Sequence, residues 1–300
     1  MSNLVLSLFR GIGILDRGFE EEGYCVVSGP DLLWGSDVRD FHAPAGVFEG
    51  VIGGPPCQCF SRLRYVNPLC GNKTGNLIPE FERVVAESQP DWFVMENLKE
   101  SPIPNVHGYQ VDPSLFNNRF LGEKENRVHR FSFGTRDGRQ LRYDIALFEN
   151  PLWEPRVCAS DYRRTPVKLL AGKKLRKGAL NLRPKRSLEE ASELQGLPTD
   201  FFKDSPFRRD AQMRMLGNAV PLPMARALAR AVRRAMGNQP LVRNSVRGET
   251  LKEVGEWLAT KMGDFISFDS DYNLPIPVGL RKEDIATLKR GEIPAEGKGK

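Results

Sequence analysis

Three short apolar runs in this chain each stop at glycine or at a polar pair, and helical segments alternate with them. Leu4-Val5-Leu6-Ser7-Leu8-Phe9 leads into Gly11-Ile12-Gly13, Val51-Ile52 into Gly53-Gly54, and Trp92-Phe93-Val94-Met95 into Glu96-Asn97. Runs this short and this apolar suit strands covered on both faces, since a strand with one wet face alternates apolar with polar. Tyr24 to Ser28 reads as a further strand, and the stretches from the glycine turn through Glu22 and from Ile78 to Ser88 read as helices. Strands alternating with helices predict an open parallel α/β sheet. Ligands of such sheets bind at the carboxyl ends of the strands, so the residues that end these runs are the candidates for chemistry.

One of those ends is Gly53-Gly54-Pro55-Pro56-Cys57-Gln58-Cys59-Phe60-Ser61. The glycines permit a sharp turn and the prolines fix its exit direction. Cys57 is thereby presented in a polar loop, the setting of a reactive cysteine rather than a structural one. Glu96-Asn97 ends a second run and would bring a carboxyl into the same crevice. A thiol beside a carboxyl that can donate to a ring nitrogen is what activating a cytosine requires. Adding the thiolate to C6 makes C5 a carbon nucleophile, and a hydrogen bond at N3 stabilises the charge that develops there. Gly11 and Gly13, directly after the first strand, can bring backbone amides at a helix start close to a nucleotide-like ligand, or can serve as a plain strand-to-helix connection. Asp37 and Asp40 follow the second strand, as carboxylates for a ribose or an adenine amino group or as solvated loop residues.

A chain of 300 residues with 40% hydrophobic content can build a real core. Its cysteines are five, an odd number without framework spacing, which argues against a disulfide scaffold and for a reducing compartment, the cytoplasm. No basic, apolar-centred leader and no apolar run of membrane-spanning length is present. Cys57, Cys59 and Cys70 have no fourth ligand at a familiar spacing, so no metal site is expected. The net charge of +6 favours a polyanionic partner only weakly, but its distribution is uneven. From Arg163 to Arg186 basic residues crowd without an intervening acid, as a solvated loop or as a phosphate-contacting surface.

Beyond Thr135 the alternation of strands and helices fades. The sequence divides into a catalytic and cofactor-binding part at 1–134, a small, irregular, basic region at 135–185, a return at 186–237, and an appendage at 238–300. Ser187 with Glu190 forms a capping box ahead of a helix, and Pro223 to Met236 reads as another helix with Arg226, Arg230, Arg233 and Arg234 mostly on one face.

These motifs, in this order, resemble those of the DNA cytosine-C5 methyltransferases, from Leu4 to Val232. Leu8-Phe9-Arg10-Gly11-Ile12-Gly13 resembles the first cofactor motif, and Ser36-Asp37-Val38 the later acidic one. Gly54-Pro55-Pro56-Cys57-Gln58 matches the nucleophile motif residue for residue, and Glu96-Asn97-Leu98 matches its partner apart from Leu98. Leu194-Gln195-Gly196-Leu197-Pro198 and Gly217-Asn218-Ala219-Val220-Pro221 resemble the two closing motifs. The resemblance implies a Rossmann-like S-adenosylmethionine-dependent fold with a small target-recognition region. It implies a cofactor held by Phe9, Gly11, Ile12, Gly13, Asp37 and Asn218, and double-stranded DNA as partner of a monomeric enzyme. Cys57 would attack C6 of a flipped cytosine, Glu96 would hold N3 and the exocyclic amine, and Arg127 would contact the base. The stretch from Cys59 to Gly75 would close over it.

The departures fall at defined places. Ser7 stands where the family usually has Asp, and Ser28-Gly29-Pro30-Asp31 where an acidic residue commonly follows the second strand, which leaves Asp31 as the ribose candidate. The family's Gln-x-Arg-x-Arg becomes Glu125-Asn126-Arg127-Val128-His129, so the second arginine is replaced by His129 or displaced to Arg130. The stretch from Asn97 to Gly108 is too short for the helix the family places there. A small basic recognition region, with Arg136, Arg139, Arg142 and the cluster after Tyr162 as candidate contacts, predicts short or relaxed sequence recognition that weakens steeply with salt. Two other functions fit the same residues: an RNA cytosine methyltransferase on this scaffold, and a catalytically idle DNA-binding homologue.

Overall fold

The computed structural model describes residues 3–60, 75–146, 154–159, 161 and 186–237. Along them run β1 (Leu4–Leu8), α1 (Ile14–Glu21), β2 (Cys25–Ser28), β3 (Gly50–Gly53), α2 (Ile78–Ser88), β4 (Trp92–Asn97), β5 (Gln110–Asn117), β6 (Glu125–Asn126), β7 (Val128–Thr135), β8 (Glu154–Pro155), α3 (Leu188–Leu194), α4 (Arg209–Asn218) and α5 (Leu222–Gly237). Six strands form one sheet in the order β2-β1-β3-β4-β7-β5, and β6 pairs with β8 apart from it. Most of the loop from Cys59 to Gly75, the cluster from Tyr162 to Lys185 and the appendage at 238–300 lie outside the described residues.

The sheet is α/β as expected but not parallel throughout. β2, β1, β3 and β4 are parallel, whereas β7 runs antiparallel to both β4 and β5. Residues 118–127, between β5 and β7, are fewer than the dozen or so that a parallel crossover needs, so the chain can only double back. Pro113, which has no N–H to donate, is tolerated because β5 is an edge strand.

Alternation along the strands feeds two cores. Val5, Ile52, Trp92, Val94, Phe131 and Phe133 pack with Phe19 of α1 and Leu228 of α5, while Leu6, Leu8, Val51, Phe93 and Met95 pack with Phe81, Val84 and Val85 of α2. Each fully buried aromatic or Leu stabilises the fold by roughly 1.5–3 kcal/mol, and the two-sided cover explains why these strands carry so little polar residue. A third cluster, with Leu188, Leu197, Met213, Leu216 and Leu222, joins α3, α4 and α5. The predicted capping box at Ser187 is present: its hydroxyl accepts from the Glu190 amide while the Glu190 carboxylate accepts from the Ser187 amide. The arginine face of α5 is spent within the fold. Arg226 and Arg230 pair with Glu21 and Glu22 at 2.5 and 2.6 Å, Arg234 pairs with Asp144, and Arg233 lies over the Tyr24 ring.

β1 sits between β2 and β3, and the chain leaves it first toward β2 and then crosses to β3. That reversal opens a crevice at the carboxyl ends of β1 and β3, where Leu8 pairs with Gly53. Antiparallel β7 starts where β4 ends, since Arg130 pairs with Asn97 and Thr135 with Trp92. Arg136 and Arg139, two of the arginines expected to contact nucleic acid, therefore lie at the opposite rim, about 17 Å away at the rise of a strand. Arg139 caps α5 there, donating to the carbonyls of Ala235 and Met236, and Arg136 covers the Tyr109 ring. These two serve the fold.

Candidate active site

The cysteine turn is pinned by the end of β4. Asn97 at the end of β4 donates through Nδ2 to the Pro55 carbonyl at 3.1 Å, and its own Oδ1 accepts from the Leu98 amide. Cys57 then opens a single helical turn, Cys57–Cys59, at partial exposure. Gly54 fits because a Cβ there would stand 2.8 Å from Glu96 Oε2, so the carboxyl of β4 overlies the turn that ends β3. The thiol is not the ready thiolate that its loop position suggests. Burial first, and the Glu96 carboxylate second, push it up to about 11, with the Arg127 guanidinium opposing them. Lowering the negative charge on Glu96 therefore favours the thiolate.

Arg127, between β6 and β7, is buried and has three partners on three segments. Its Nε donates to His129 Nε2 at 2.7 Å, Nη1 to the Val157 carbonyl and Nη2 to the Gly217 carbonyl, both at 3.0 Å. Glu125, fully buried, accepts from the Val157 amide and lies 3.7 Å from Nη1; burial raises its carboxyl above the usual range. His129 reaches the other way, with Nδ1 2.5 Å from Glu96 Oε1. Successive residues of β7 face opposite sides, and Arg130 accordingly donates to the carbonyls of Lys99, Ser101 and Pro102 and to the Ser101 hydroxyl. The place of the second arginine is thus taken by His129. Arg130 instead clamps the short loop after β4, the loop without a helix.

The cofactor end of the crevice is built around the loop after β1. Phe9, Gly11 and Gly13 have φ of 56°, 56° and 75°, a region costly for the phenylalanine and open to the glycines. A Cβ on Gly11 would meet nothing within 4 Å, so the loop presents an open cradle. Asp31 holds that cradle: its Oδ2 accepts from the Gly11 amide at 2.8 Å and its Oδ1 from the Leu33 amide at 2.7 Å. Trp34 donates its indole N–H to the Gly11 carbonyl at 2.7 Å and meets Phe207 edge-on. With Ile12, Phe201 and Phe202 these two rings line a cleft of about 420 Å³, a size suited to a nucleoside. Ser7 donates to Asp16 at 2.5 Å, so the carboxylate missing from β1 is delivered by α1. Its second oxygen, Oδ2, is buried without a hydrogen bond, 3.4 Å from Arg10 Nε. A cradle, an aromatic cleft and an orphaned carboxylate beside an arginine fit a zwitterionic amino acid joined to a nucleoside.

Of the residues expected around that ligand, Phe9, Gly11, Ile12 and Gly13 form this loop. Asn218 ends α4 with its side chain exposed. Asp37 caps a surface turn and is held by Arg39 through Oδ2 at 2.8 Å, which lowers its carboxyl below the ordinary value; it does not line the cleft. Trp34, Phe207, Asp16 and the link from His129 to Glu96 were not foreseen. Only His129 left a signal in the sequence, two residues past Arg127. No group of three or more potential metal-binding side chains occurs among the described residues.

The family model "C-5 cytosine-specific DNA methylase" matches residues 35–101, a span that contains both Cys57 and Glu96. The type II methyltransferase M.FnuDI of Fusobacterium nucleatum is 24% identical over 82% of this chain and 99% of its own length. M.NgoPII of Neisseria gonorrhoeae is 26% identical, over 47% of this chain and half of its own length. M.AquIA of Picosynechococcus is 34% identical over a shorter stretch, 33% of this chain and half of that protein. Among solved structures, a DNMT2 variant of Spodoptera frugiperda superposes with a TM-score of 0.54 at 11% identity, covering 76% of this chain and 99% of that one. At that identity the superposition bears on the fold alone, and it agrees with a Rossmann-like methyltransferase sheet. Strand ends, motif order and relatives converge on one likeness: residues 35–101 match the C-5 cytosine-specific DNA methylase family, and the chain is similar to type II methyltransferases along most of its length.

Proposed function

We propose that this protein is an S-adenosylmethionine-dependent DNA cytosine-C5 methyltransferase that works through a covalent Cys57 adduct. The observation that supports this most is the meeting of Cys57 and Glu96 on adjoining strand ends, with Glu96 Oε2 only 2.8 Å from where a Cβ on residue 54 would stand. The target base must leave the duplex to reach them, at a cost of a few kcal/mol that pocket contacts offset. Cys57 adds to C6, and Glu96 donates a hydrogen bond at N3. While Glu96 holds the proton that it presents to N3 it carries no charge to push the thiol up, so the acid form of Glu96 also favours the thiolate. Bound S-adenosylmethionine would supply an electrophilic methyl group to C5. Loss of the C5 proton then expels Cys57. Arg127 supports the site from behind, by holding His129, Val157 and Gly217 in one cluster.

The cofactor's amino-acid end would lie toward Gly11, Gly13, Arg10 and Asp16, and its nucleoside in the cleft of Ile12, Trp34 and Phe207, with Phe9 and Asn218 at the margins. Asp37, expected at the adenine, is engaged by Arg39 and would have to exchange that partner to serve there. We assign the basic region at 135–185, apart from Arg136 and Arg139, to reading DNA, and leave 238–300 as a separate appendage.

The test is trapping on duplex DNA carrying 5-fluorocytosine, whose C5 fluorine blocks the elimination. With S-adenosylmethionine the wild type should form a covalent adduct that survives denaturing electrophoresis, and Cys57→Ser should form none. No adduct from the wild type on any duplex overturns the reading. Methylation of transfer RNA with none of DNA would replace DNA by RNA as acceptor.

A further inference from the structure

His129 occupies a position where a second arginine is the rule, and its two ring nitrogens have different kinds of partner. An arginine Nε–H can only donate. Since Arg127 Nε donates to His129 Nε2 at 2.7 Å, that nitrogen carries no proton, and the single proton of the neutral ring is on Nδ1. Nδ1–H then donates to Glu96 Oε1 at 2.5 Å. A doubly protonated ring would set two donors against each other at Nε2. Burial disfavours it too: His129 is pushed below its ordinary value first by desolvation and then by Arg127 and Arg156, against the pull of Glu96. These three groups, from the β6–β7 link, the residue after β8 and the end of β4, are the charges that face the ring; Cys57 bears on it only through Glu96.

The consequence falls on Glu96. Its Oε1 must accept, because the imidazole has no second proton to lose short of becoming an anion. Any proton that Glu96 carries is therefore on Oε2, the oxygen over Gly54 and the cysteine turn. We propose that His129 is a positioning residue that divides the two oxygens of Glu96 between roles, fixing Oε1 as an acceptor and leaving Oε2 to carry the proton toward the base. A guanidinium in its place would also hold the carboxylate, but as a fixed cation that favours the ionised form and keeps the proton off it. The neutral ring orients the acid without that charge. This inference rests on the reading of Glu96 as the acid that meets the base.

Two measurements on the full chain separate the possibilities. The chain has three histidines, so nitrogen-15 NMR of histidine-labelled protein with a His129→Gln reference can assign the ring. The expected spectrum shows an unprotonated Nε2 and a protonated Nδ1 from pH 6 to 8, and a proton on Nε2 would overturn the proposal. In methyl-transfer assays across the same range and up to pH 9, His129→Gln should stay within about threefold of wild type, because its amide can donate to Glu96 and accept from Arg127. His129→Leu should lose roughly a hundredfold. His129→Arg should match wild type near pH 6 and fall roughly tenfold behind by pH 8.5. A wild-type pH profile in His129→Arg, or a loss in His129→Gln equal to that in His129→Leu, would also overturn it. A wild type that transfers no methyl group at any pH would sink the activity assigned above, with the tautomer still decided by the nitrogen spectrum.

Discussion

The two halves of the crevice keep the same backbone plan but differ in how their side chains are fixed. On the nucleophile side, Cys57, Glu96, His129 and Arg127 come from three separate segments and are locked by buried hydrogen bonds, with Gly54 admitting the carboxyl. On the cofactor side the loop is held mainly from the surface, by Asp31 and Trp34 on its amide and carbonyl, and the residues around it are more exposed. The motif is matched residue for residue where bonds are to be made and broken. Where a ligand is only to be held, one carboxylate comes from α1 instead of β1, because a cradle of backbone amides tolerates a change of supplier and a reacting geometry does not.

If this contrast is sound, Arg127→Ala should have the largest effect. It would leave two carbonyls and an imidazole nitrogen without their donor and Glu125 without its counter-charge, at roughly 3–5 kcal/mol of stability, measured by urea unfolding. A loss below 1 kcal/mol would mean that water replaces the guanidinium and that the cluster is not locked. Gly54→Ala comes next. Its Cβ would displace the Glu96 carboxyl, so methyl transfer should drop about a hundredfold while the melting temperature barely moves; an unchanged rate would show that the acid has slack.

On the looser side, Asp31→Ala frees the amides of Gly11 and Leu33. S-adenosylhomocysteine should then bind about tenfold more weakly in calorimetric titration, with stability nearly unchanged. Unaltered affinity would show that Trp34 alone suffices to hold the loop. The smallest effect is expected for Glu96→Gln in the free protein. The carboxylate raises the Cys57 thiol, so its removal lowers the value from about 11 and enlarges the thiolate fraction at any pH below it. Alkylation of Cys57 by iodoacetamide at pH 8 should become a few times faster, even as methyl transfer is lost. An unchanged rate would mean that burial alone holds the thiol up.

Much of the fold was legible because local signals agreed with it. The apolar runs became β1, β3 and β4 within a residue or two, α2 spans Ile78–Ser88 as its periodicity predicts, and Ser187 caps α3. β5 and β7 escaped, since their antiparallel pairing depends on a short link and on partners distant in sequence. Arg130 was offered as a stand-in for the missing arginine, yet one step along β7 turns it to the other face and into a loop clamp.

The sequence by itself determined the chemistry on offer: a cysteine on a glycine-proline turn, a carboxyl at a strand end, a glycine loop after the first strand. These are properties of short segments, fixed by neighbouring residues. Only the tertiary structure decided which groups meet. The reversal of β7 carries His129 to the rim where β4 ends and sets it between Glu96 and Arg127, while it sends Arg136 and Arg139 to the far rim. The direction of a strand within its sheet is a long-range property, set by connection length and by what covers its faces, and no short segment encodes it.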